Sequence, residues 1–214
     1  MKKILLSTAF ILFNLVCFSQ SIDSTFENYK ILNVGYISIP NNMEIQSGNY
    51  KKLNDSVQKQ ISKKFGYEVS DDRVVFQQKG LNTLSQSAFN SYARVILETE
   101  IGKPGDYEKL TTKVTSTEAE LAEINNAVKL EISKTIKLIT WNGVSIVTIN
   151  GRSALKISYV RQIGDNPSVW VDIYRFQNND RMHSLTLSYR QTDVLVWKPL
   201  FAKILKSYTI TSIR

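Results

Sequence analysis

The sequence predicts an α+β fold: an antiparallel sheet with a C-terminal four-strand meander and helices packed on it. Three observations predict it. Between residues 144 and 190, four β-rich runs are separated by short turn signals. Two stretches before them and one after carry apolar residues at helical spacing. Strands clustered in a meander, with helices on either side of it in sequence, bury their apolar faces most simply as layers.

The elements follow in chain order. Lys2 and Lys3 precede an uncharged apolar run from Ile4 to Phe18, followed by Ser19 and Gln20, which is the order of a secretory signal peptide. Residues 1–19 are read as that signal and 20–214 as a single domain. The run is shorter than the roughly 20 residues a bilayer span needs, and no later stretch approaches that length. No transmembrane segment is therefore expected, and the mature protein is expected to be periplasmic or extracellular. Cys17 closes the run where a lipid could be attached, but lipoprotein signals place a small residue before that cysteine. Here the bulky Val16 precedes it, so no lipid anchor is expected. With Cys17 removed the mature chain has no thiol, which excludes disulfides, thiolate catalysis and Cys-ligated zinc.

After a polar lead, "VGYISIP" (34–40) reads as a strand stopped by Pro40, which cannot donate to a ladder. Tyr50, Leu53, Val57, Ile61 and Phe65 recur at steps of three and four, the spacing of an amphipathic helix of about four turns. "DRVVFQQ" (72–78) and "YARVILETE" (92–100) are further strands. In the second, Ala93, Val95, Leu97 and Thr99 share one face, and Arg94, Glu98 and Glu100 the other. "GKPGD" (102–106) breaks the chain. Thr117 with Glu120 forms a capping pair for a second helix whose stripe is Leu121, Ile124, Val128 and Ile132, with Asn125 and Lys129 outside it.

The Asn150-Gly151 dipeptide suits a two-residue hairpin turn with positive φ, and "IGDNP" (163–167) and "NND" (178–180) make the next reversals. The four strands are thus 144–149, 152–161, 168–177 and 181–190. Trp197, Phe201, Ile204 and Leu205 then fall on one helical face, with Pro199 expected in the first turn. "YTITSI" closes the chain as a strand.

Removing the two signal lysines leaves 25 basic and 19 acidic residues, a balance of +6. Residues 137–214 hold eleven Lys and Arg against four Asp. Such an excess favours acidic partners or anionic surfaces by long-range attraction. The basic residues are spread along strands without a run or an aromatic motif, so nucleic acid is not an expected partner.

His183 is the chain's single histidine. Alternation places it with Leu185, Leu187 and Tyr189, at the rim of the core, and sets Ser184 on the opposite face. It reads as a packing residue. With one imidazole and no thiol, a nucleophile and base held by a third group cannot be assembled around anything else. Asp165, Asp172 and Asp180 lie in loops or on another face and do not make a zinc set. No calcium loop or phosphate cradle is present in the sequence. No cofactor, no metal and no enzymatic activity are expected.

Trp170, Tyr174 and Phe176 alternate along one strand face with Asp172. If Leu155, Ile157 and Tyr159 share the face of Leu185 and Leu187, register decides whether this row meets the core or forms a second surface. That surface would include Lys156, Ser158, Thr186 and Arg190. Exposed, the row is a partner or ligand surface carried by Trp170, Tyr174, Phe176, Lys156 and Arg190; covered by a helix such as the Trp197–Leu205 segment, it is core. The covered reading is favoured.

"ISIPNNMEI", "ITWNGVSIVTINGRSALKISYVRQ", "VDIYRFQNNDRMHSLTLSYR" and "WKPLFAKILKSYTI", in this order, resemble the PsbP-like group, which includes exported bacterial relatives and shares its fold with the Ran-release factor. The resemblance spans most of residues 34–210. It implies an α/β/α sandwich and a role in binding or assembly, and no functional residue is carried over from it. The expected function is a non-enzymatic exported domain binding a protein or cell-envelope component. The alternative is a small-ligand or lipid-binding protein with a cavity between sheet and helices; a carboxylate-based hydrolase is the third reading.

Overall fold

A computed structural model of the chain describes residues 24–65, 73–108 and 118–211. The expected signal peptide over 1–19 with Cys17, the Thr117 cap and the end of the last strand lie outside these residues.

The elements are β1 (Phe26–Ile31), β2 (Gly35–Pro40), β3 (Met43–Ile45), α1 (Gly48–Phe65), β4 (Val74–Gln78), β5 (Ala93–Ile101), α2 (Glu118–Thr135), β6 (Lys137–Ile149), β7 (Arg152–Gln162), β8 (Val169–Asn178), β9 (Arg181–Arg190), α3 (Val194–Ser207) and β10 (Thr209–Ile210). They form two antiparallel sheets, a seven-stranded one in the order β3-β4-β5-β9-β8-β7-β6 and a three-stranded one in the order β1-β2-β10. The fold is α+β, and the meander β6-β7-β8-β9 runs through consecutive neighbours as its turn signals predict. Asn150 and Gly151 take the positive φ (49° and 77°) that their hairpin turn requires.

Four departures from the sequence reading have local causes. The polar lead contains β1, which pairs along its whole length with β2; its Glu27, Asn28 and Lys30 mask a strand that, among the described residues, is the edge of the small sheet. β3 is only three residues long. β6 begins at Lys137, seven residues before the expected start, because the strand passes through a bulge at Trp141–Gly143. Gly143 adopts φ of 100° there, and Asn125 of α2 accepts hydrogen bonds from Trp141 Nε1 (2.9 Å) and Val144 N (3.1 Å). A residue outside the apolar stripe thus joins α2 to the irregular strand. Pro199 is the sixth residue of α3, beyond the first turn. It is exposed, so water can satisfy the Leu195 carbonyl that a proline cannot bond.

Each side of the large sheet carries its own apolar cluster. On one side lie Val95, Leu97, Tyr174, Phe176, Leu185 and Leu187, sealed by Trp197, Leu200, Phe201 and Ile204 of α3 and by Ile37 and Ile39 of the small sheet. On the other, Ile157, Tyr159 and Val171 meet Val128 and Ile132 of α2. Helices therefore cover both sides. They do so unequally: α3 buries four side chains, whereas the α2 residues Ile124 and Leu130 and the α1 residues Leu53 and Val57 remain exposed.

Candidate functional site

Register resolves the aromatic row. Tyr174 stands opposite Leu185, and Phe176 opposite His183, so the row lies on the α3 side, where Tyr174 and Phe176 are buried. Trp170 is half-buried and packs against the same cluster. Lys156 stands opposite Tyr174 on this side. Its Nζ lies 5.6 Å from the Tyr174 ring centroid and 3.3 Å from Asp172 Oδ2. Leu155 and Ile157 stand opposite Arg175 and Ile173, and Tyr159 opposite Val171, away from Leu185. Arg190 stands opposite Val169 and faces the other side. The five residues Trp170, Tyr174, Phe176, Lys156 and Arg190 therefore do not form one surface; the row is covered, by α3 and β10.

His183 is fully buried. Its Nδ1 lies 3.0 Å from Thr99 Oγ1 across the β5–β9 ladder. Burial, with the nearby Arg181 and Arg152 charges, pushes the imidazole down to about 4, so it is neutral at ordinary pH.

The opposite side of the sheet has a different composition. Alternation on β9 sends Ser184, Thr186, Ser188 and Arg190 there. Across the ladder, Glu98–Ser184–Arg175 form one row, Arg94–Ser188–Val171 another, and Arg190–Val169–Arg161 a third. Between α1 and the β7–β8 turn this floor opens into a cleft of about 560 Å³. Its walls include Arg73, Arg94, Arg161 and Arg190, the aromatic rings of Tyr50 and Tyr92, and apolar groups such as Val57 and Ile96, with no carboxylate among the described lining residues.

The four guanidiniums differ in how far they are committed. Arg94 is buried; it donates to Gln78 Oε1 (2.8 Å) and Tyr50 Oη (2.8 Å) and lies over the Tyr50 and Tyr92 rings at 5.7 and 5.2 Å. It therefore ties α1 to the sheet. Arg73 approaches Asp55 at 3.4 Å. Arg190 uses Nη1 on Asn90 O (2.8 Å), and its remaining N–H groups have no partner among the described residues. Among the described residues Arg161 makes neither a hydrogen bond nor an ion pair. Arg161 and Arg190 are two strands apart, roughly 10 Å between backbones, close enough for both side chains to reach one group. Farther along the same face, burial pushes the Glu98 carboxyl up, against the opposing pull of Arg73 and Arg175; Arg175 Nε is buried without a partner among the described residues.

Of the cleft arginines, the sequence reading names Arg190 as a surface candidate and Arg94 only as one of the residues on the wetter face of its strand. It does not single out Arg73 and Arg161. The available signal was the uneven charge over residues 137–214, which gives sign without position. No group of three or more His, Cys, Asp or Glu side chains that could hold a metal ion occurs among the described residues, and no helix among them is long and apolar enough to cross a membrane.

No family model matches the chain, and no curated protein matches it. Solved structures do resemble it. Cyanobacterial PsbP from Synechocystis sp. PCC 6803 has a TM-score of 0.47 and 16% identity, covering 91% of this chain and 96% of that one. A protein of unknown function from Pseudomonas aeruginosa has a TM-score of 0.40 and 10% identity, with 86% and 96% covered. A protein from Bacteroides thetaiotaomicron VPI-5482 has a TM-score of 0.42 and 4% identity; 82% of this chain is covered, but the chain spans only 44% of the length of that protein. Each of these likenesses concerns the fold alone.

Proposed function

We propose that this chain is an exported, non-catalytic binding domain whose arginine-lined cleft receives an anionic component of the cell envelope: a phosphate or carboxylate group on an apolar or aromatic body. The export half of the reading rests on the sequence of residues 1–19. The binding half rests on one observation, a cleft lined, among the described residues, by four arginines and no carboxylate, in which Arg161 makes no hydrogen bond or ion pair. Guanidinium groups match planar or tetrahedral oxyanions with paired N–H donors, and a partly enclosed site strengthens such contacts relative to bulk water.

Arg161 and the open arm of Arg190 would hold the anionic head, while Arg94, already committed to Gln78 and Tyr50, keeps α1 in place as a wall. Val57, Ile96 and the tyrosine rings would take the apolar part. The non-catalytic reading is supported by the position of His183, which is enclosed in the core on the far side of the sheet.

Titration calorimetry with a short-chain phosphatidic acid, and separately with inorganic phosphate, tests the proposal. Saturable binding of the lipid is expected, weakened at least tenfold in Arg161→Gln, about 1.4 kcal/mol. Phosphate binding at the same strength would mean that the head alone is recognised, and binding of the lipid only would mean that the apolar lining contributes. No binding of either probe, or equal binding by the variant, overturns the reading.

A further inference from the structure

A second, smaller cavity lies at the seam between the two sheets, on the side of the large sheet away from the arginine cleft. The β6–β7 turn sets it up. Asn150 at the tip donates through Nδ2 to Lys206 O (3.0 Å) and Tyr208 O (2.7 Å), and Arg152, just past the turn, donates through Nη2 to Ile210 O (2.8 Å). These bonds fasten the end of the chain to the hairpin and leave a pocket of about 180 Å³ with Arg152, Phe176, Tyr208 and Ile210 among its walls.

Two buried polar atoms near it have no partner among the described residues. Tyr208 is 2% exposed and its hydroxyl has no hydrogen-bond partner among the described residues; its ring lies 5.4 Å from that of Phe176. Directly behind Phe176 in the ladder is His183, whose Nε2 is likewise buried and unpartnered. The Arg152 charge acts on both groups, lowering the Tyr208 phenol against a strong upward push from burial and adding to the lowering of His183. The phenol thus stays protonated, as a donor. The Thr99 hydroxyl and Nδ1 are 3.0 Å apart; in the tautomer in which that hydroxyl donates, the imidazole proton sits on Nε2, a second donor. A buried polar group left unpaired costs on the order of 1–3 kcal/mol, so two of them beside a guanidinium constitute an unmet demand for an acceptor.

We infer that this seam pocket is a binding site for a small oxyanion, a carboxylate or phosphate group, held by the Arg152 N–H groups that have no partner among the described residues and by the Tyr208 hydroxyl, with His183 Nε2 behind them. A donor-only set around one positive charge calls for a negatively charged acceptor, and a pocket of this size takes a compact anion rather than a lipid. The site shares no lining residue with the arginine cleft, so it stands whether or not that cleft binds a ligand.

The chain's single histidine makes the test direct, because an imidazole nitrogen–proton correlation spectrum of the full mature chain contains one side-chain system. Titration with acetate, and separately with inorganic phosphate at constant ionic strength, is expected to shift it saturably. The midpoint should weaken at least tenfold in Arg152→Gln and at least threefold in Tyr208→Phe, and stay unchanged in Arg161→Gln. The nitrogen shifts should place the proton on Nε2. Tyr208→Phe keeps the ring and carries the test if Arg152→Gln does not fold. A non-saturating shift, one reproduced by chloride, an unchanged midpoint in Tyr208→Phe, or a proton on Nδ1 overturns the assignment.

Discussion

The two faces of the seven-stranded sheet are built from the same strands and do opposite things. Along β9, Leu185 and Leu187 on one face are sealed under α3 and the small sheet, while on the other side Ser184, Thr186 and Arg190 are only half-buried and Ser188 alone is buried. The first face is closed by side chains from α3, β2 and β10. The second is bridged by α1 and α2, and no side chain of α2 is buried. The contrast teaches that amphipathic spacing in a helix does not tell how much of its stripe the fold will use. α1 and α2 carry recognisable stripes and leave part of them in solvent, and between α1 and the sheet they leave room for the arginine cleft.

The largest expected effect breaks the contrast at its strongest point. Phe76 is completely buried and meets the Tyr29 ring edge-on at 4.9 Å; Phe76→Ala should cost about 3–5 kcal/mol in urea unfolding. Leu130→Ala on the exposed part of α2 should stay within about 0.5 kcal/mol. Equal losses at the two positions would mean that both faces are equally closed.

A second measurement isolates the neutral imidazole inside the closed face. Because its folded-state pKa, about 4, lies below the unfolded value near 6.5, the unfolded chain binds the proton more readily between these values. Its contribution is therefore complete above pH 6.5 and lost as pH falls toward 4, by on the order of 3 kcal/mol in all. Arg181, Arg152 and Asp180 are the charges acting on it and remain in the variant. His183→Gln should flatten the fall of unfolding free energy between pH 6.5 and 4 relative to the unmodified chain, while costing about 1 kcal/mol at pH 7 for the lost Thr99 bond. Parallel curves for the two proteins would place the ring in contact with solvent.

The smallest effect sharpens the open face. Arg161 makes no contact that the fold requires, so Arg161→Gln should shift stability by less than about 0.5 kcal/mol, measured by thermal unfolding. A larger loss would make Arg161 a structural residue and weaken its assignment to a ligand.

Much of the architecture was readable from consecutive residues. The alternation in 181–190 placed His183 with the leucines, Asn150-Gly151 fixed a hairpin, and the spacing from Trp197 to Ile204 marked the helix that seals the core. The candidate site was readable only in part. Arg94 was assigned to the wetter face of β5, and Arg190 was singled out, but as a companion of Trp170 and Tyr174, which lie on the other side of the sheet. The error came from register: nothing within 152–162 states which of its two faces joins Leu185, and a shift of one residue exchanges them.

The sequence alone determined the order of the meander, the turns and the inward position of the lone histidine, because periodicity and turn chemistry are properties of neighbouring residues. Only the tertiary structure decided that β10 pairs with β2, that β6 continues through a bulge held by Asn125, and that Arg94, Arg161 and Arg190 from three strands converge with Arg73, which precedes a fourth. Those outcomes depend on ladder register and on what covers each face, and both are settled by contacts between residues far apart in the chain.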